Sequence, residues 1–130
     1  MSRIMVVDDA LFMRSLLTKI LTEEGYEICA EASTATEAVT KYKAVKPDLV
    51  TMDIVMPMME ELDGIGAVRE IIKFDPNAKI IVVSVMGEQS LVVEAIRAGA
   101  KDFVVKPVRP AVLLEAVRNA LGPVDKTIEK

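Results

Sequence analysis

The chain has 130 residues, with 16 Lys plus Arg against 20 Asp plus Glu, one Cys, no His and 4% aromatic residues; this length suits one domain that buries roughly two thirds of its unfolded surface without disulfides or structural metals. The lack of His removes the usual zinc ligand and general base, and with them Ser-His-Asp and Cys-His catalysis, Cys29 alone forms no internal bridge, and an acidic balance with no basic run argues against nucleic acid as a partner. No apolar stretch reaches the ~18 residues of a membrane span, and Met1-Ser2-Arg3 runs into a strand pattern with no signal-peptide layout, so the expected location is the cytoplasm.

In chain order, a β-branched apolar run at residues 3–7 reads as the first strand. A helix follows, its Met13, Leu16, Leu17, Ile20 and Leu21 spaced i, i+3, i+4, i+7 and i+8, with Gly25 as its stop. Residues 26–31 alternate Tyr26, Ile28 and Ala30 with Glu27, Cys29 and Glu31, the pattern of a half-exposed edge strand. Thr34 with Glu37 forms a capping box before Ala35, Ala38, Val39 and Tyr42. Strands at 48–52, 79–85 and 102–105 are almost continuously apolar, as expected where helices cover both faces. Helices at about 63–74 and 88–98 separate them, the second stopped by Gly99. A last helix opens at Pro110, carries Leu113, Ala116, Val117, Ala120 and Leu121, and stops at Gly122. Residues 123–130 are expected to be an unstructured tail.

Five strand–helix pairs imply a parallel α/β sheet. With the second strand at the edge, the third must return to the far side of the first, giving the order 2-1-3-4-5. Ligands of open α/β sheets lie beyond the carboxyl ends of the strands where that order reverses. The other four strands end in Asp8-Asp9, Asp53, Ser84 and Lys106-Pro107. Singly, each has an ordinary explanation: an Asp pair caps a helix, an Asp or Ser closes a turn, a Lys is solvated. Together they bring carboxylates, a hydroxyl and an ammonium to one rim. Three carboxylates a few ångströms apart repel at an upper scale of about 4 kcal/mol per close pair in an intermediate dielectric, so the rim calls for a cation. Few ligands, all oxygen, suit a hydrated Mg2+ (or Mn2+) better than Zn2+ or Ca2+. A carboxylate beside Mg2+ and Lys is a nucleophile towards phosphorus, and its product is an aspartyl phosphate.

In order and spacing, Val6-Val7-Asp8-Asp9, Met52-Asp53-Ile54-Val55-Met56-Pro57, Val83-Ser84 and Val104-Val105-Lys106-Pro107 resemble the receiver domain of two-component response regulators, over nearly the whole chain from Arg3 to Leu121. The stretches Val7-Asp8-Asp9-Ala10-Leu11-Phe12-Met13-Arg14 and Ala98-Gly99-Ala100-Lys101-Asp102-Phe103 are similar to stand-alone chemotaxis receivers within that family. The resemblance implies a flavodoxin-like (βα)5 sandwich over residues 1–122 with no effector domain after it. It implies that Asp53 accepts a phosphoryl group from a phosphohistidine on a sensor histidine kinase of the CheA-like type. Asp9, Asp53 and the backbone carbonyl of Val55 would hold Mg2+, with Asp8 reaching it through water. Lys106 would pair with Asp53, and with the phosphoryl oxygens once they arrive, while Ser84 donates its hydroxyl to them. Phe103 would be the switch aromatic, and the Lys106–Pro107 bond would be cis. Output would pass through the fourth helix, fifth strand and fifth helix to a motility motor switch protein or an archaeal motility adaptor; Val93, Val112 and Leu114 lie off the core stripes there. A dedicated phosphatase is a further implied partner, and a monomer the implied state.

Departures from the family pattern qualify this. Met58 to Leu62 adds about three residues, expected to bulge or to extend the third helix without disturbing the metal ligands. Phe103 lacks the hydroxyl that many relatives carry there. Val55 and Met86, at the places that tune phosphoryl hydrolysis, are both apolar. Glu88 and Gln89 replace a basic pair used by enteric relatives towards their motor target. The competing readings are a receiver of another phosphorelay, a Mg2+-dependent phosphatase, which lacks an acid or base beside Asp53, and a nucleotide or flavin binder, for which no phosphate-cradling glycine loop is present. A scaffold without phosphoryl chemistry is at odds with the complete acceptor set.

Overall fold

The computed structural model describes residues 2–55 and 62–122. Ten elements alternate in sequence: β1 Arg3–Val7, α1 Leu11–Glu23, β2 Glu27–Ala32, α2 Ala35–Val45, β3 Leu49–Met52, α3 Gly64–Phe74, β4 Ile80–Ser84, α4 Gln89–Ala98, β5 Asp102–Val105 and α5 Pro110–Leu121. The strands are parallel in the order β2-β1-β3-β4-β5, the flavodoxin-like topology expected. β2 lies on one edge, with its Glu27 and Glu31 exposed. β5 lies on the other, and there the apolar run misleads, since Val105 is 48% exposed and Phe103 only half-buried.

Alternation of side chains across the pleat divides the core into two layers. Met5, Val7, Val50, Met52, Ile80 and Val82 meet α2, α3 and α4 on one face. Ile4, Val6, Leu49, Ile81, Val83 and Val104 meet Leu17, Ile20 and Leu21 of α1 and Leu113, Ala116 and Val117 of α5 on the other. Met13 and Leu16 complete the α1 stripe half-buried, as do Ala120 and Leu121 on α5. Leu114 packs half-buried against this layer; Val93 and Val112 are exposed as expected.

Helix ends follow local chemistry. Thr34 Oγ1 accepts from the Glu37 amide at 3.1 Å, but the returning Glu37 carboxylate takes the Ser33 amide at 2.8 Å, one residue before the cap. Gly25, Gly99 and Gly122 take positive φ beyond α1, α4 and α5. α2 stops without a glycine: Lys46 adopts φ 48°, and the Arg3 guanidinium donates to the carbonyls of Val45 and Lys46 at 3.0 and 3.2 Å. Asp63 caps α3 by accepting from the Gly66 amide at 2.7 Å. Leu62 and Asp63 precede that helix rather than extend it, and the rest of the Met58 to Leu62 insertion lies outside the described residues, as does the tail from Pro123. The Lys106–Pro107 bond is cis, as the resemblance implied.

Gly64 opens α3 against the end of β3. A Cβ there would clash with Ile54 Cα and meet the Asp53 carbonyl oxygen at 2.9 Å, both main-chain atoms that cannot swing aside. Gly64→Ala is expected to lower stability by about 1–3 kcal/mol, read by urea denaturation.

Tyr42, buried on α2, donates its hydroxyl to Asp75 Oδ2 at 2.8 Å and meets the Phe74 ring edge-on. Burial, then the bond and charge of Asp75, hold the phenol above its ordinary pKa of 10.0. Its contribution is complete below pH 10 and lost above it, because the unfolded chain ionises first. Tyr42→Phe is expected to be less stable by about 1 kcal/mol at neutral pH. The gap should narrow above pH 10, measured by denaturation across that range.

Candidate functional site

Parallel register assembles the rim. β1 and β3 pair through Val7 opposite Met52, so the next positions, Asp8 and Asp53, are neighbours. β4 and β5 pair through Ser84 opposite Val105, and the Lys106 amide donates to the Ser84 carbonyl at 2.8 Å. Strands that are mostly apolar inside the sheet thus deliver polar side chains where it stops.

Asp8, Asp9 and Asp53 each present a carboxylate oxygen within 4.8 Å of the others, with Asp8 and Asp53 buried and Asp9 exposed. Lys106 Nζ lies 2.8 Å from Asp8 Oδ2 and 3.4 Å from Asp53 Oδ2. Lys106 therefore reaches both carboxylates, and the nearer is Asp8, not the Asp53 that the resemblance names as its partner. The remaining oxygens are spent on turns: Asp8 Oδ1 accepts from the Ala10 amide at 2.9 Å, and Asp53 Oδ1 from the Val55 amide at 2.9 Å. The Asp pair is not a helix cap, since α1 has Ala10 at its N-cap and no capping side chain.

Burial raises the Asp53 pKa from 3.8 to about 6, aided by the negative charge of Asp8, against the opposing pull of the Val55 amide and Lys106. Lys106 is held above its ordinary value: burial alone would lower it, and the bond to Asp8 with the charges of both carboxylates prevails. Among the described residues one ammonium thus faces three carboxylates and is not enough for the buried pair. All the donors are oxygen, and the missing positive charge and short separations fit a hard divalent cation.

Ser84 is fully buried at the end of β4, its Oγ accepting from the Met86 amide at 3.1 Å. Val55 and Met86 stand at 41% and 42% exposure, so both apolar positions expected to tune hydrolysis are open to water. Phe103 sits opposite Val82 on β5 and packs half-buried against the α2–α4 layer. A further side chain belongs to the site, in a role that the sequence does not reveal. Arg14 donates from Nη1 to the Asp8 carbonyl at 2.8 Å and from Nε to Glu31 Oε1 at 3.0 Å; only its place six residues after Asp8 could have hinted at this.

The response regulator receiver domain profile matches residues 4–118. The chemotaxis protein CheY of Thermotoga maritima is 58% identical over 117 residues, spanning 90% of this chain and 95% of that one. CheY of Bacillus subtilis is 53% identical over 92% of this chain and 98% of its own length. CheY in a crystal structure of a CheX–CheY–BeF3–Mg2+ complex from Borrelia burgdorferi superimposes with a TM-score of 0.88 at 40% identity, covering 93% and 90% of the two chains. With the 2-1-3-4-5 sheet and the acidic cluster at its strand ends, these matches show that the chain belongs to the receiver domain family of response regulators, as a CheY-like chemotaxis member.

Proposed function

We propose that the chain is a phosphorylation-operated switch of chemotaxis, with Asp53 as acceptor of a phosphoryl group from a phosphohistidine on a CheA-like sensor kinase. The observation that carries this is a buried Asp53 carboxylate grouped with Asp8 and Asp9 and touched by Lys106. The Asp53 oxygen forms a bond to phosphorus as the phosphorus–nitrogen bond breaks and its electron pair leaves on the imidazole. Asp9, Asp53 and the Val55 carbonyl would hold Mg2+, with Asp8 acting through water. When bound, Mg2+ supplies positive charge that offsets the phosphoryl oxygens and the attacking carboxylate.

Lys106 carries the second positive charge, between Asp8 and Asp53, and would exchange one of these contacts for a phosphoryl oxygen. Ser84 would exchange the Met86 amide for that oxygen and draw the following loop inward, with Phe103 taking up the vacated space. Stored this way, the phosphoryl group biases the α4–β5–α5 face between two arrangements. The target there is a motility motor switch protein or an archaeal motility adaptor. The chain turns over no free substrate; its chemistry is acceptance and slow loss of one phosphoryl group.

Incubation with acetyl phosphate and Mg2+ should add one phosphoryl mass to the wild-type chain and none to Asp53→Asn, read by intact mass spectrometry. Modification at another residue, or none, would refute this reading. Val55 and Met86 leave an approaching water without a polar side chain to orient it. Phosphoryl loss is expected to accelerate by about tenfold or more when Val55→Asn and Met86→Glu are combined, followed by the decay of the phosphorylated mass after donor removal.

A further inference from the structure

Arg14, in the first turn of α1, reaches the acidic cluster through the Asp8 main-chain carbonyl and not through a carboxylate. Its side chain is 17% exposed and makes two directed contacts, to the Asp8 carbonyl at 2.8 Å and to Glu31 on the edge strand at 3.0 Å. The Asp8 carbonyl belongs to the peptide plane that joins Asp8 to Asp9. Holding its oxygen fixes that plane and the position of Asp9 N and Cα; with the Ala10 amide tied to Asp8 Oδ1, the peptides on both sides of Asp9 are held, and together they set the direction in which its side chain leaves the backbone.

The same loop is tied at three further points. The Asp8 amide donates to the Ala32 carbonyl at 3.0 Å, the Ala10 amide to Asp8 Oδ1 at 2.9 Å, and the Arg14 amide to the Ala10 carbonyl at 3.0 Å. Arg14 thus grips the β1–α1 loop by main chain and side chain together, and Glu31 holds the guanidinium in place. Asp9 is exposed, and among the described residues its carboxylate has no hydrogen bond or ion pair, so its place in the cluster depends on the backbone.

We propose that Arg14, anchored by Glu31, is a positioning residue that presets the Asp8–Asp9 peptide for divalent-cation binding. The inference rests on reading the cluster as a Mg2+ site. Its sign separates it from plain electrostatics: a guanidinium acting only as a nearby positive charge would repel Mg2+, and its removal would tighten binding. A positioning role demands the reverse.

The test is Mg2+ titration of the full chain by calorimetry, with thermal stability measured alongside. Arg14→Gln should weaken Mg2+ affinity by about tenfold, the scale of residues that orient metal ligands. Arg14→Lys should recover part of it. Phosphorylation of Arg14→Gln by acetyl phosphate should need more Mg2+ yet approach the wild-type rate at saturation. Arg69→Gln, which removes an exposed cation on α3, should leave the affinity unchanged. Unchanged or tighter Mg2+ binding in Arg14→Gln, or an equal loss in Arg69→Gln, would overturn the proposal. If Arg14→Gln fails to fold, Glu31→Ala decides: it removes only a solvent-facing anchor, and unchanged affinity there counts against positioning. A wild-type chain that binds no Mg2+ would instead remove the metal-site reading, and this inference with it.

Discussion

Two carboxylates closed off from water against one ammonium is the constraint from which the rest follows. Asp8 and Asp53 are buried, and Lys106 is the side-chain cation paired with them among the described residues. Moving charges out of water is costly unless each is matched, and the shortfall shows in an Asp53 carboxyl pushed up to about 6. An arrangement of this kind is a poor structural brace. Its oxygen donors and its surplus of negative charge suit a divalent cation, which is what the proposed function asks of it.

The fold makes such an imbalance tolerable. Core layers on both faces of the sheet leave the strands no freedom to slide, because a one-residue slip would exchange every side chain between layers. That rigidity holds Asp8 beside Asp53 despite their repulsion. Gly64 tightens the arrangement further, letting α3 begin against the main chain of Asp53 and Ile54.

Periodicity and strand-end chemistry made the sheet order, the helix stripes and the acidic rim legible before any coordinates. What escaped depended on distances between neighbours that spacing does not rank. Asp8 and Asp53 occupy equivalent strand ends, so nothing in their positions says that Lys106 would stand nearer Asp8. β5 is as apolar as the central strands through Phe103, Val104 and Val105, yet among the described residues it is an edge strand with Val105 half exposed. Arg14 looks like an ordinary solvated helix residue until its guanidinium is seen to turn back to a main-chain oxygen. The Glu37 carboxylate serves Ser33 rather than Thr34 because a side chain that long reaches either amide.

The short bond between the Lys106 amide and the Ser84 carbonyl joins two residues that stand 22 positions apart on separate strands. A hydroxyl tugged by an incoming anion and an ammonium drawn to the same anion would not travel independently, since one backbone hinge carries both. Any displacement at the end of β4 is therefore handed to β5 at its terminus, next to the cis Lys106–Pro107 corner. Under the proposed phosphorylation, mechanical linkage of that sort would let a single covalent event steer two strands at once, with no chain of intervening side chains.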